Sequence, residues 1–325
     1  DLTSANAFDL AERHYGNFLH NQHKRTGRSG GAMVIGASCR LPGGDDIGHF
    51  WRLLIEGKCV TMPIPESRFD VCQLYDKEQA KPGKTYVGMA SLLDAVDMFD
   101  AAFFDITPSE ASHMDPQQRL LLEVAWEALE TAGIPASKLS YSHCASVGPQ
   151  VASAANKTAA WALRTGVFIG ATGSDYGRLM AGTASSYSSP YAMTGAMQSA
   201  LAGRVSYAFG LTGPSVAVDT ACSSSLVAAS AAIHSLRACE CEIAIVGGTQ
   251  CILDPGVFVA MCQTRALSDD GRCKTFDASA NGFSRGEGIV VMILAHADDQ
   301  RENRDYKSIA NILAVEVNHD GRSSG

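Results

Sequence analysis

An α/β fold with a largely parallel sheet is what this sequence predicts. Three observations carry the prediction. Short apolar runs such as Ala32-Met33-Val34-Ile35-Gly36 and Val167-Phe168-Ile169-Gly170 end in glycine, as buried strands do where they enter a turn. Strand-like and helix-like stretches alternate quickly between residues 215 and 248. One segment, Asp115 to Gly133, carries helix signals at both ends.

Taken in order, residues 1–31 are polar and close on Gly27-Arg28-Ser29-Gly30-Gly31, which reads as a linker. Leu10 to Lys24 has only a thin apolar stripe, so His20 and His23, one helical turn apart, read as part of a solvated helix and not as metal ligands. The strand from Ala32 is not followed by G-x-G-x-x-G, which removes a dinucleotide fold. In the central helix Asp115 is the N-cap, Pro116 suits the first turn and Gln118 completes a capping-box-like pair. Leu121, Ala125, Ala128 and Leu129 form its apolar face, Gly133 closes it and Pro135 prevents continuation. Ser137 to Leu163 is weakly patterned and reads as a surface insertion, most clearly from Ser142. Val167 to Gly170 resumes as a strand, Ser215 to Asp219 reads as another buried strand, and Ser223 to Arg237 is a helix of small residues. Ile243 to Gly248, Ile289 to Leu294 and Ile309 to Val317 add further strands.

Composition narrows the function. Of 325 residues, 46% are hydrophobic and 18% charged, which excludes a disordered chain. The formal charge of −8 argues against wrapping a nucleic-acid backbone. The longest apolar stretch, Gly288 to Ala297, is far short of the roughly 20 residues a membrane span requires. The 10 cysteines are scattered, none pair as C-x-x-C, and Cys239-x-Cys241 is too little for zinc, so reduced and mostly buried thiols in a cytoplasmic setting are expected. Without a secretion signal, the Asn156-Lys157-Thr158 sequon reads as chance.

The densest chemistry lies at Asp219-Thr220-Ala221-Cys222-Ser223-Ser224-Ser225. Cys222 falls between an apolar strand and the first turn of a helix, where free N–H groups stabilise a thiolate or an oxyanion. A sharp strand-to-helix turn lifts such a residue out of the sheet, and small neighbours leave room for a substrate. Local physics also leaves open that Cys222 is one more buried thiol.

This string resembles the active-site motif of β-ketoacyl synthases, above all the ketosynthase domains of polyketide synthases. The resemblance extends through Arg40-Leu41-Pro42-Gly43, Phe99 to Phe104, Met114-Asp115-Pro116-Gln117-Gln118-Arg119, and Gly203-Arg204-Val205-Ser206-Tyr207 with Gly210 to Pro214. Gly271-Arg272-Cys273-Lys274-Thr275-Phe276-Asp277, Arg285-Gly286-Glu287-Gly288 and Asn318-His319-Asp320-Gly321-Arg322 continue it in order.

The resemblance implies a thiolase-like fold with α-β-α-β-α layers, with residues 32–297 as the N-terminal half and 298–325 as the start of a truncated C-terminal half. It implies that Cys222 accepts an acyl group as a thioester, for decarboxylative Claisen condensation with a malonyl-type extender. The two family histidines lie in motifs expected beyond Gly325, so condensation is not expected of these residues alone. His113, His234, His296 and His319 are expected to play no catalytic part. His113 reads as local structure, His234 as too distant along its helix, His296 as a strand-end surface residue and His319 as a polar loop residue. No metal and no bound cofactor are implied; phosphopantetheine is carried by the partner acyl carrier protein. Further implied partners are acyl and malonyl thioesters, a second copy in a homodimer with Tyr187 to Gly213 at its interface, and adjacent polyketide synthase domains. The alternatives are a ketosynthase of a multifunctional fatty acid synthase and a non-catalytic thiolase-fold scaffold. A thiolase-like enzyme acting on free coenzyme A thioesters is disfavoured by the segments around Asp115 and Gly271.

Overall fold

The structure is a computed structural model that describes residues 31–135, 139, 163–182, 189–297 and 306–322. The expected linker, the Ser142 insertion up to residue 162, and Tyr187 lie outside the described residues. Strand β1 (Ala32–Arg40) is followed by helix α1 (Ile47–Glu56), a two-residue strand β2 (Met62–Pro63), helix α2 (Val71–Leu74) and strand β3 (Met89–Ala90). Helices α3 (Pro108–His113) and α4 (Pro116–Thr131) precede strand β4 (Thr165–Ala171). Helices α5 (Asp175–Ala181), α6 (Ala192–Ala196) and α7 (Ser199–Phe209) lead to strand β5 (Ser215–Val218) and helix α8 (Ser224–Arg237). Strand β6 (Ile243–Gln250), helix α9 (Gly256–Gln263) and strands β7 (Gly288–His296) and β8 (Ala310–Ile312) complete the described chain.

The α/β class holds, but the sheet is mixed. Its order is β5-β4-β6-β7-β1-β8. Strand β4 pairs in parallel with β5 and β6, whereas β7 is antiparallel to β6 and β1, and β8 is antiparallel to β1. The central strands are covered on both faces, and a strand buried on both faces carries a continuous apolar run whichever way its neighbour runs. Strand direction is therefore not legible from the run itself. Two further readings change. Strand β5 is an edge strand with Ser215 and Val216 exposed, not a buried one. The final strand is confined to Ala310–Ile312, with Leu313 and Val317 exposed.

Alternate residues of each central strand face opposite layers. Val167 and Ile169, Ile243 and Ile245, and Ile289, Val291 and Ile293 pack with Leu121, Ala125 and Ala128 of α4 and Leu201 and Val205 of α7. Phe168, Ala244, Val246 and Leu294 pack with Ala228, Ala232, Ile233 and Leu236 of α8 on the other face. Complete burial of each larger side chain is worth about 1.5–3 kcal/mol, so these two layers hold the helices against the sheet. A third cluster, including Tyr86, Phe258 and Leu267, lies under α9 and supports the loop that runs from Ser268 toward β7.

Helix α4 begins as expected. The Asp115 carboxylate accepts the Gln117 amide at 2.8 Å, and Gly133 ends the helix with φ +65°. Gln118 does not reach back to the cap. Its amide donates to the carbonyls of Thr194 and Gly195 at 3.0 Å, and Asp115 N–H itself donates to Gly195 O. The capping-box-like pair is thus replaced by a tie to α6. Helix α1 is strongly amphipathic in sequence, yet Ile47, Trp51, Leu54 and Ile55 are exposed among the described residues.

Candidate active site

Cys222 lies on the turn between β5 and α8, as its sequence position predicts, and its thiol is exposed, not buried. The turn is sharp because Ala221 adopts φ +54°, a left-handed conformation that L-residues other than glycine seldom enter. Several short polar groups hold it there. Asp219 Oδ1 accepts the Ala221 N–H at 3.1 Å. Ser224 Oγ accepts the Thr220 N–H at 2.9 Å and donates to Ala221 O at 2.6 Å. Ser223 Oγ donates to Thr220 O at 2.8 Å. The two serines, which the sequence suggests as room-making neighbours, therefore brace the elbow. The D-x-A-C-S-S pattern holds a clue to this, since Ser and Asp side chains bond readily to backbone groups two or three residues away.

Glycines set how closely α8 approaches the sheet. A methyl group on Gly170 of β4 would lie 2.3 Å from Ser225 N, and one on Gly248 of β6 would lie 2.8 Å from Ser225 Cβ. Both are below van der Waals contact, so only glycine lets the first turn of α8 rest directly on the two strands. That first turn has no side-chain cap, and Ser224, Ser225 and Leu226 line the cavity at Cys222. Helix N-terminal N–H groups attract anions.

The cavity has a volume of about 660 Å³ and is walled by Thr172, Met261, Phe283, Met292 and the segment from Ser284 to Gly288 in addition to the α8 turn. Much of that lining is apolar, as ligand cavities commonly are. Glu287, given no role from sequence, is a buried strut. Its carboxylate accepts the N–H groups of Leu93 and Ile252, each at 2.7 Å, and pairs with Arg68 at 3.1 Å. Burial pushes its pKa above the usual carboxylate range despite these partners. Arg285 lays its guanidinium over the Phe258 ring, 4.9 Å from the centroid.

Among the described residues no histidine lines this cavity. His113 bonds to Ser109 O at 2.7 Å within α3, and His234 to Ser230 O at 2.7 Å within α8. His319 accepts the Gly321 N–H in a local turn. His296 departs from expectation: it closes β7 and is buried, because that strand is central in the sheet. Against the expectation of mostly buried thiols, Cys59, Cys72, Cys222, Cys239 and Cys273 are exposed, while burial pushes the thiols of Cys39, Cys241 and Cys251 upward, so desolvation disfavours their reactive form. The described residues contain no cluster of metal-ligating side chains and no helix long and apolar enough to cross a membrane.

Residues 32–300 match the family model described as Beta-ketoacyl synthase, N-terminal domain. The chain is 40% identical over 296 residues to polyketide synthase GfsA of Streptomyces halstedii, covering 90% of this chain and 4% of that protein. It is 41% identical over 297 residues to the pikromycin polyketide synthase component PikAII of Streptomyces venezuelae, covering 90% of this chain and 7% of that protein. The chain thus spans only a small share of the length of these curated relatives. Among solved structures, it resembles the ketosynthase from module 6 of the bacillaene synthase of Bacillus subtilis, with TM-score 0.74 and 32% identity over 91% of this chain and 45% of that one. An oxazolomycin ketosynthase domain from Streptomyces albus gives TM-score 0.70 and 33% identity over 82% of this chain and 42% of that one.

Proposed function

The chain belongs to the β-ketoacyl synthase family with a thiolase-like fold, and we propose that Cys222 is the thiol on which it carries an acyl chain during polyketide assembly. The observation that carries this reading is the elbow itself. An exposed thiol stands beside an uncapped helix N-terminus at the wall of a largely apolar cavity.

In this reading the acyl group arrives as a thioester on the phosphopantetheine arm of an acyl carrier protein. The Cys222 sulfur attacks the thioester carbonyl, the new C–S bond forms, and the carrier's thiol leaves. Negative charge develops on the carbonyl oxygen, and N–H groups in the first turn of α8 donate hydrogen bonds to it. The acyl chain then lies along the apolar wall and awaits the enolate that decarboxylation of a malonyl-type extender releases. Acyl and malonyl thioesters, the carrier protein, a homodimeric partner and adjacent synthase domains follow from the family resemblance, as does a cytoplasmic setting. The chain carries the covalent step on its own residues and needs no metal or bound cofactor for it.

Incubation with an acyl-pantetheine thioester followed by intact-mass measurement tests the proposal. A gain equal to one acyl group, removed by hydroxylamine and absent after Cys222→Ala, is expected. Acylation that survives Cys222→Ala would place the nucleophile elsewhere.

A further inference from the structure

We propose that Cys59 and Cys273 form a second thiol site, an oxidisable pair that takes hydroperoxides as its substrate class, on a cavity next to the one at Cys222. Both cysteines are exposed free thiols. Together with Thr61, Ser91 and Arg272 they line a cavity of about 430 Å³. Ser284, Arg285 and Gly286 form a wall of this cavity and of the one at Cys222, so the two sites share a boundary.

The backbone ties the two segments that carry the pair. Thr61 Oγ1 donates to Gly271 O at 3.3 Å, which ties two otherwise distant segments. Each cysteine is two residues from that contact, and both face the same space. A disulfide requires the two Cα atoms to lie within about 7 Å, and the cross-link measures that reach. The Ser284 N–H donates to Cys273 Sγ at 3.2 Å and orients that sulfur. Cys59 lies beside the Thr61 backbone N–H and the Arg272 guanidinium. These groups favour its thiolate, the form that reacts.

The chemistry balances with the hydroperoxide as oxidant. The Cys59 thiolate attacks the terminal peroxide oxygen; an S–O bond forms, the O–O bond breaks, and the alkoxide leaves and takes up a proton as the alcohol. Cys59 is now a sulfenic acid. The Cys273 sulfur then attacks the Cys59 sulfur; the S–S bond forms, the S–O bond breaks, and hydroxide leaves with the Cys273 proton as water. Two electrons pass from the thiols to the peroxide.

Hydrogen peroxide at one equivalent is added to the 325-residue chain at neutral pH, free thiols are blocked with N-ethylmaleimide, and an unreduced digest is mapped by mass. A Cys59–Cys273 cross-linked peptide that dithiothreitol abolishes is expected. With Cys273→Ser, dimedone should instead trap Cys59, and Arg272→Ala should slow oxidation several-fold. Exposed Cys72 and Cys222 serve as internal comparisons. Oxidation of either ahead of Cys59, or a parent chain that yields no Cys59–Cys273 peptide, would overturn the proposal.

Discussion

Gly170 lies directly beneath the backbone of Ser225, so closely that a single added methyl would stand 2.3 Å from the Ser225 nitrogen. This contact couples β4 to the first turn of α8 and therefore sets where Cys222 stands above the sheet. Gly170→Ala should push the helix away. Overpacking of this kind typically costs about 1–3 kcal/mol, read as a lower midpoint in denaturant titration. Acyl transfer should fall further than stability does, since a displacement near 1 Å at a reacting group can cost on the order of 10²-fold in rate.

Ala221 tests the same elbow from the opposite direction. Its φ of +54° is strained for an L-residue by about 1–2 kcal/mol. Ala221→Gly relieves that strain while preserving the turn, so thermal stability should hold or rise and Cys222 acylation should persist. Ala221→Val, with a branched side chain in the same conformation, should lower both. Equal melting temperatures for the two variants would show that the conformation is not enforced.

Removing the Ser224 hydroxyl should loosen the turn. It accepts one backbone N–H and donates to one carbonyl. Loss of a hydrogen bond of this type costs about 1 kcal/mol, and more where a partner is left buried and unsatisfied. Ser224→Ala is expected to destabilise the chain by about 1–2 kcal/mol and to slow acylation, whereas Ser224→Thr should retain part of both. Urea titration alongside an acylation time course measures the two effects.

Glu287 should matter to folding more than to chemistry. Its carboxylate fastens the Leu93 and Ile252 backbones and faces a nearly buried Arg68. Removing one member of a buried pair commonly costs about 3–5 kcal/mol because the other charge is left uncompensated. Glu287→Ala should thus unfold at markedly lower denaturant. Adding Arg68→Met should recover part of the loss, and failure to recover would show that the backbone contacts, not the ion pair, carry the effect.

The loop bearing Cys273 has a pH signature. The Asp270 carboxyl is lowered to about 2, chiefly by the Ser268 hydroxyl and by Lys274. A lowered carboxyl pKa contributes stability that is complete above the unfolded value near 3.8 and disappears as pH falls toward about 2. An NMR titration of Asp270 should give that low midpoint, and Lys274→Met should raise it.

Much of this architecture is visible in the sequence. The apolar runs at Ala32, Val167, Ile243 and Ile289, the capped helix from Asp115, and the thiol at a strand-to-helix turn all fall where local patterning puts them. What local patterning misses depends on distant partners. An apolar run records that a strand is covered, not whether its neighbour is parallel, so the antiparallel sense of β7 is not readable from Ile289 to Leu294. Ser215 to Val218 contains the right residue types for a buried strand but ends up at an edge. Gln118 carries a capping residue type, yet the arrival of α6 from far along the chain captures its amide. The burial of His296 follows from β7 having strands on both sides, which no residue near His296 announces.

The most direct test of the account is the site of the acyl bond. The chain and its Cys222→Ala variant, matched for folding by circular dichroism, are incubated with an acyl-pantetheine thioester and digested under mildly acidic conditions that preserve thioesters. The account predicts acylation on the single peptide bearing Cys222 and none in the variant. An acyl group on Cys59, on Cys273 or on any hydroxyl, with Cys222 left unmodified, would contradict it.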